Sequence, residues 1–459
     1  MTTSRTDVRE SAEISDKARW FLRRVTIATG GGMFLDGFVF ATIAAALAGG
    51  AMARELGIST LWEALISAST LIGIFVGGLV IGYVTDRVGR KPMFLIDLAT
   101  FMVCAGLMFF VTAPWQIFVI GLVMGLAIGG DYAIGSPLLS EFVPDDKRGN
   151  YLGVLEILWN VGYVVGFLFG FVVNNVAPGN WHWILASSIV PAIFCMVARH
   201  NLPESPRWLM SKGRRDEAEQ VIRESLDIDP EQGDFLDEES ERTRWAVLFS
   251  AAYVKRTVFA CTFWTCIVLP YFALTFFQAE VLRTLGLGGQ ALIGALCGTI
   301  IALVGATTGW FLVDRVGRRK ILIAPMFICA VALALVGFTD MLPPVIAVTC
   351  FFTYLLSYGV LSILPGIYPM ELFPTSVRTS GVGLASSASR VGAAIGTFVL
   401  PLSLESFGLA PTMLMMAAVS AIGGFTSFAW APETNGKALT QTAHRTDPHS
   451  YRRGAAATA

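Results

Sequence analysis

Apolar stretches of roughly 20 residues, enough to carry a helix across about 30 Å of hydrocarbon, recur along nearly the whole of this 459-residue chain. Twelve can be counted, centred near Asp36, Gly73, Met102, Ala127, Gly162, Ile189, Thr265, Ile301, Val331, Thr353, Arg390 and Ala418. A chain patterned in this way is expected to be an all-α membrane protein of 12 transmembrane helices. Only 15% of its residues are charged and 54% are hydrophobic, against about a quarter charged in soluble proteins. An even number of crossings leaves both termini on one side.

The side follows from the basic residues, which favour cytoplasmic loops. Lys17, Arg19, Arg23 and Arg24 precede the first span, and Arg87, Arg90, Lys91, Lys147, Arg148, Arg315, Arg318, Arg319, Lys320 and Arg378 fall in alternate loops. The intervening loops hold little beyond Arg54 and Arg283. Both termini and the long middle loop are therefore expected in the cytoplasm. Short loops and compact termini point to a bacterial inner membrane. The first span carries Asp36 and is followed by many more, so it reads as a retained helix and not as a cleaved signal. The seven cysteines lie inside apolar spans without paired metal spacing and read as small core residues. No catalytic constellation, metal site, cofactor motif or nucleic-acid-binding feature accompanies them, so an enzyme is not expected.

Loop motifs repeat at half the chain length. Asp86-Arg87-Val88-Gly89-Arg90 returns as Asp314-Arg315-Val316-Gly317-Arg318, an offset of 228. Glu141, Pro144 and Arg148 return as Glu371, Pro374 and Arg378, an offset of 230, and Pro203-Glu204-Ser205 returns as Pro432-Glu433-Thr434, an offset of 229. Parallel six-helix repeats are the footprint of a two-bundle transporter with its site at the midplane. The expected divisions are an N-terminal bundle over 1–201, a polar linker with short helices over 202–254, a C-terminal bundle over 255–432 and a largely disordered tail over 433–459.

The run from Gly82 to Lys91 resembles the signature loop of the major facilitator superfamily. Pro203-Glu204-Ser205-Pro206-Arg207-Trp208-Leu209, Glu371-Leu372-Phe373-Pro374 and Pro432-Glu433-Thr434-Asn435-Gly436-Lys437 resemble its sugar-porter and metabolite:proton symporter branch. The resemblance implies the major facilitator fold, with two six-helix bundles moving by alternating access. It also implies a cytoplasmic gate in which signature-loop residues latch helix ends and the opposing half: Asp86, Arg87, Arg90, Glu141, Arg148, Glu204, Arg207, Asp314, Arg315, Arg318, Glu371, Arg378 and Glu433. The alternative is that these charges only enforce topology.

Ionisable groups inside a span are expensive unless paired or hydrated. Asp36, Asp131, Glu156 and Arg390 fall at such positions on the first, fourth, fifth and eleventh spans. No histidine stands at a span centre, so a proton relay would use carboxylates. A carboxyl group that alternately meets an apolar wall and an arginine can load and release a proton. Asp36 and Asp131 resemble the paired aspartates of phosphate and metabolite proton symporters, and Asp36, Asp131 and Glu156 are the candidate proton-coupling residues. The competing reading is a static paired carboxylate, above all for Glu156, with Arg390 as structural partner of one of the acids. The four-residue series Gly121, Gly125, Gly129 and Gly162, Gly166, Gly170 reads as close helix contact.

The gate resembles a sugar porter more than the pocket does. Cys266-Ile267 and Phe272 stand where sugar porters place hydroxyl-binding amides, Leu361 and Gly366 where they often have tryptophan, Gly121 where an arginine partners their coupling aspartate, and Glu156 at a substrate glutamine position. Arg390 with Tyr132, Trp159, Asn160, Trp264, Tyr271, Tyr354 and Tyr358 forms the candidate substrate site and suits a small organic acid held by its carboxylate. The expected partners are a small-molecule solute, a proton and the lipid bilayer, with no nucleic acid, and the chain acting as a monomer. A sugar or polyol proton symporter, a uniporter or exchanger, and a non-transporting nutrient sensor remain as alternatives.

Overall fold

The computed structural model describes residues 15–143, 148–226, 245–251, 253–373 and 375–435. Twelve helices among them are long and apolar enough to cross a membrane. They are α1 (Asp16–Ala48), α2 (Thr60–Val88), α3 (Arg90–Met108), α4 (Pro114–Phe142), α5 (Arg148–Val176) and α6 (Trp181–His200), then α7 (Val254–Phe276), α8 (Ala291–Val316), α9 (Arg318–Val336), α10 (Pro344–Leu361), α11 (Thr375–Phe407) and α12 (Leu409–Trp430). The all-helical, twelve-span expectation holds.

Helix ends follow local chemistry. Ser15 Oγ accepts from the Ala18 N–H at 3.2 Å, and Gln116 Oε1 reaches back to the Thr112 and Ala113 N–H groups at 2.7 and 3.1 Å ahead of Pro114. Each satisfies donors that the first helical turn leaves open. α6 breaks at Ser187 and Ser188, and α10 breaks at Ser362 before a second segment, Leu364–Leu372.

Packing repeats with a shift of six helices. α1 lies on α5, α2 on α4 and α3 on α6; α7 lies on α11, α8 on α10 and α9 on α12. Two further seams join α2 to α11 and α5 to α8. Small residues permit the close pairs: a Cβ on Gly125 would strike Thr70 O of α2, and one on Gly162 would strike Phe34 O of α1, as expected of backbone-to-backbone contact. α1 and α7 are the most deeply buried spans. Large side chains such as Ile96 and Val103 on α3, Phe194 on α6, Val331 on α9 and Phe425 on α12 point outward, where lipid would cover them. Cys297 of α8 is also exposed, unlike the core role expected of it, because it faces away from the α10 contact that buries Gly298.

The polar stretch after α6 forms two short helices, Pro206–Ser211 and Arg215–Leu226. The rest of the expected linker over 227–244, and the expected tail beyond 435, lie outside the described residues.

Candidate functional site

Among the described residues, two sets of charged side chains stand among the apolar spans. The first joins α1, α3, α4 and α6. Arg199, near the end of α6 and 1% exposed, donates from Nη1 to Asp131 Oδ1 at 2.5 Å and from Nη2 to Asp131 Oδ2 at 3.0 Å. Its Nε donates to Ala28 O of α1 at 2.9 Å, and its plane lies 4.3 Å from the Phe94 ring of α3. Gly32 leaves room for the pair, since a Cβ there would collide with both partners. Asp36 and Asp97 complete the set. Both are buried, and each has one carboxyl oxygen, Oδ2, without a hydrogen-bond partner. A cavity of about 10 Å³ is lined by Asp36, Asp97, Asp131 and Arg199, about the volume one water requires.

The candidate coupling residues therefore separate. Asp131 is fully engaged with Arg199, Asp36 retains a free oxygen, and Glu156 belongs to the second set. Arg199 and Asp97 were not singled out from the sequence. Arg199 sits at the end of a span beside His200, where a basic residue reads as a topology signal. Asp97 was detectable, as the only charge in the run from Met93 to Met108.

The second set lies where α4, α5, α7, α10 and α11 converge. Arg390 stands over the Tyr132 ring at 4.9 Å and the Phe272 ring at 5.9 Å, and its buried Nε has no hydrogen-bond partner. It interacts electrostatically with both Glu156 and Asp36. Glu156 faces Gly366, where an added Cβ would lie 3.2 Å from Glu156 Oε1. Tyr271 and Tyr358 stack at 3.5 Å with 7° between their planes. Trp159 meets Tyr163, Tyr271 and Phe272 at 5.6–6.1 Å and hydrogen-bonds to Tyr132. Asn160 is buried beside them, with its amide donating to Glu156 O at 2.9 Å. Of the substrate-site candidates, Tyr132, Trp159, Asn160, Tyr271 and Tyr358 share this cluster with Arg390. Tyr354 adjoins Tyr271 but turns its ring toward Phe351, 6.2 Å away, and its hydroxyl is unpartnered. Trp264 is buried two turns before Tyr271 on α7.

The gate candidates occupy the face that carries the loop motifs. Glu204 accepts from the Arg90 N–H at 3.0 Å and from the Lys91 N–H at 3.2 Å, so its carboxylate sits on the N-terminus of α3. Glu433 does the same for α9, accepting from the Arg318 and Arg319 N–H groups at 3.0 and 3.2 Å. Such ends favour an anion. Gly89 and Gly317 precede these helices at φ 110° and 96°, close against the two glutamates. Arg318 binds Glu371 at 2.9 Å and Asp314 at 2.8 Å, all in one half. Arg87 stacks on Tyr83 at 3.7 Å, Arg378 Nε donates to Phe373 O at 3.3 Å, and Arg207 and Arg315 are exposed. The side chains of Asp86, Glu141 and Arg148 lie outside the described residues.

Comparison with known proteins fits this architecture. The family described as "Sugar (and other) transporter" matches residues 24–444. The putative metabolite transport protein YaaU of Escherichia coli is 34% identical over 426 residues, covering 92% of this chain and 95% of the relative. The inner membrane metabolite transport protein YgcS of the same organism is 33% identical over 413 residues, covering 90% and 91%. Among solved structures, the proton:xylose symporter XylE of E. coli, bound to 6-bromo-6-deoxy-D-glucose, superposes with a TM-score of 0.77 at 18% identity, covering 92% of this chain and 98% of that one. The family and these relatives make the chain a multi-pass membrane transporter and not an enzyme. The chain belongs to the sugar (and other) transporter family of the major facilitator superfamily.

Proposed function

We propose that this chain is a proton-coupled symporter that carries a small polar organic metabolite, preferentially an organic acid, by alternating access. In this reading residues 1–201 and 255–432 are the two moving bundles, 202–254 is a cytoplasmic linker, and the protein works as a monomer in a bacterial inner membrane with both termini cytoplasmic. The observation that carries the proposal is the position of Arg390, over the Tyr132 and Phe272 rings and in electrostatic reach of both Asp36 and Glu156. With Asp36 ionised, the arginine has a counter-charge. A proton on Asp36 removes that charge and leaves Glu156 as the remaining acid beside the guanidinium, whose unpartnered Nε is then open to a substrate carboxylate through a charge-assisted hydrogen bond. Tyr132, Trp159, Tyr271 and Tyr358 would wall the organic part of the solute. The motif-face residues, with Glu204 and Glu433 holding α3 and α9, serve as the gate.

Sugar or polyol symport is the second reading, favoured by the likeness of fold to a protein named for xylose. Cys266, Ile267 and Phe272 speak against it, because a buried hydroxyl without a partner costs about 1–3 kcal/mol.

The test is a pH-pulse screen in energised vesicles, adding organic acids, sugars, polyols and cations to wild type and Asp36→Asn. External alkalinisation with one organic-acid class, absent in the variant, is expected. Alkalinisation with sugars or polyols alone would replace the first reading by the second. Tracer uptake without any pH change would make the protein a uniporter or exchanger and end both.

A further inference from the structure

The cavity between α1, α3, α4 and α6 is not lined by Arg390, and its chemistry is unbalanced. Asp36, Asp97 and Asp131 surround it with one lining arginine, Arg199, whose Nη groups are both spent on Asp131. Asp36 and Asp97 each keep an unpartnered buried oxygen while bordering a space of one-water size. Asp97 is brought close because Gly130, the residue before Asp131, carries no side chain: a Cβ there would lie 2.8 Å from Asp97 Oδ2.

We propose that Asp97 is a second proton-holding residue of the coupling site, sharing one proton with Asp36 through a water in this cavity while Asp131 serves Arg199 as counter-ion. This deepens the symport reading and rests on it. Two further carboxylates in an apolar bundle, beside an arginine already committed to Asp131, are unfavourable, whereas one shared proton gives each free oxygen a partner. Transfer is balanced: one carboxyl group gives its proton to the water oxygen as the water gives one of its own to the other carboxylate, and the water ends neutral. The other titratable or charged groups around the pair are Asp131 and Tyr132 from α4, Cys195 and Arg199 from α6, and Arg390 from α11. Arg390 lies within electrostatic reach of Asp36. A proton that leaves Asp36 for Asp97 therefore changes the charge beside the substrate arginine.

The experiment needs no solute. The full chain, purified in lipid nanodiscs, is titrated with pH while the C=O stretch of protonated carboxyl groups is followed by difference infrared spectroscopy. Wild type is expected to show a titrating band. Asp36→Asn and Asp97→Asn should each retain a band with its midpoint displaced by at least about one pH unit, roughly tenfold in proton affinity, because coupled sites titrate as a pair. Asp97→Glu, which keeps the acid, should retain a coupled profile. A wild-type midpoint in Asp97→Asn, with the band abolished in Asp36→Asn, would overturn the shared site and leave proton symport through Asp36 intact. A wild type without any titrating band would remove both readings. A fallback that avoids mutation is labelling of wild type with dicyclohexylcarbodiimide, which adds to protonated carboxyls in apolar sites. Adducts on both Asp36 and Asp97 peptides are expected, and adducts on Asp36 alone would refute the proposal.

Discussion

Arg199 engages Asp131 with both terminal nitrogens, at 2.5 and 3.0 Å, while its Nε holds Ala28 O at 2.9 Å, so one guanidinium ties α6 to α4 and α1. A lysine can occupy one of those three positions at a time. Removing the arginine strands a buried carboxylate, which costs about 3–5 kcal/mol. Arg199→Ala should therefore lower the thermal unfolding midpoint of the purified protein sharply, and Arg199→Lys should lower it by less. Arg199→Gln combined with Asp131→Asn should destabilise less than the two single changes added together. Strict additivity in that cycle would mean that the ion pair does not act as a unit.

Gly89 and Gly317 make a matched pair. Each stands at positive φ with an extended ψ, 159° and 151°, a region that only glycine adopts without strain. Each is also crowded by its glutamate, with the nearest carboxyl oxygen of Glu204 or Glu433 2.6 Å from an added Cβ. Gly89→Ala and Gly317→Ala should each cost about 1–3 kcal/mol, read as lower unfolding midpoints. Pairing each with Glu204→Ala or Glu433→Ala should recover part of the loss, because the collision disappears while the φ strain stays. Double variants that show no recovery would place the whole effect in the backbone.

The fold was legible because its signals are local. Twelve apolar runs each announce a helix, and the repeated loop motifs announce two related halves. Asp36, Asp131, Glu156 and Arg390 stood out for the same reason, as charges inside apolar runs. What stayed hidden depends on contacts distant in sequence. Glu204 caps α3 across more than a hundred residues, so its motif reads as a gate charge until the fold returns it to Gly89. Arg199 looks like an interfacial residue until α6 folds back beside α1 and α3 and its guanidinium reaches Asp131 of α4. Trp264 shares a helical face with Tyr271, seven residues on, yet two turns separate them by about 10 Å, and periodicity alone does not say at which depth the pocket lies.

Gly366 tests that depth directly. It lies in the second segment of α10 opposite Glu156 of α5, with Glu156 Oε1 and Cγ at 3.2 and 3.4 Å from an added Cβ. An alanine methyl fits if the glutamate gives by a few tenths of an ångström. A leucine displaces the carboxylate from the field of Arg390. Initial uptake of the solute class identified by the pH-pulse screen should persist in Gly366→Ala at reduced apparent affinity. In Gly366→Leu it should fall at least about tenfold, or about 1.4 kcal/mol, with expression and unfolding midpoint close to wild type. Glu156→Gln should reproduce the transport loss without the added bulk. If Gly366→Leu transports as wild type does, Glu156 stands outside the transport path, and the α5–α10 contact is packing alone.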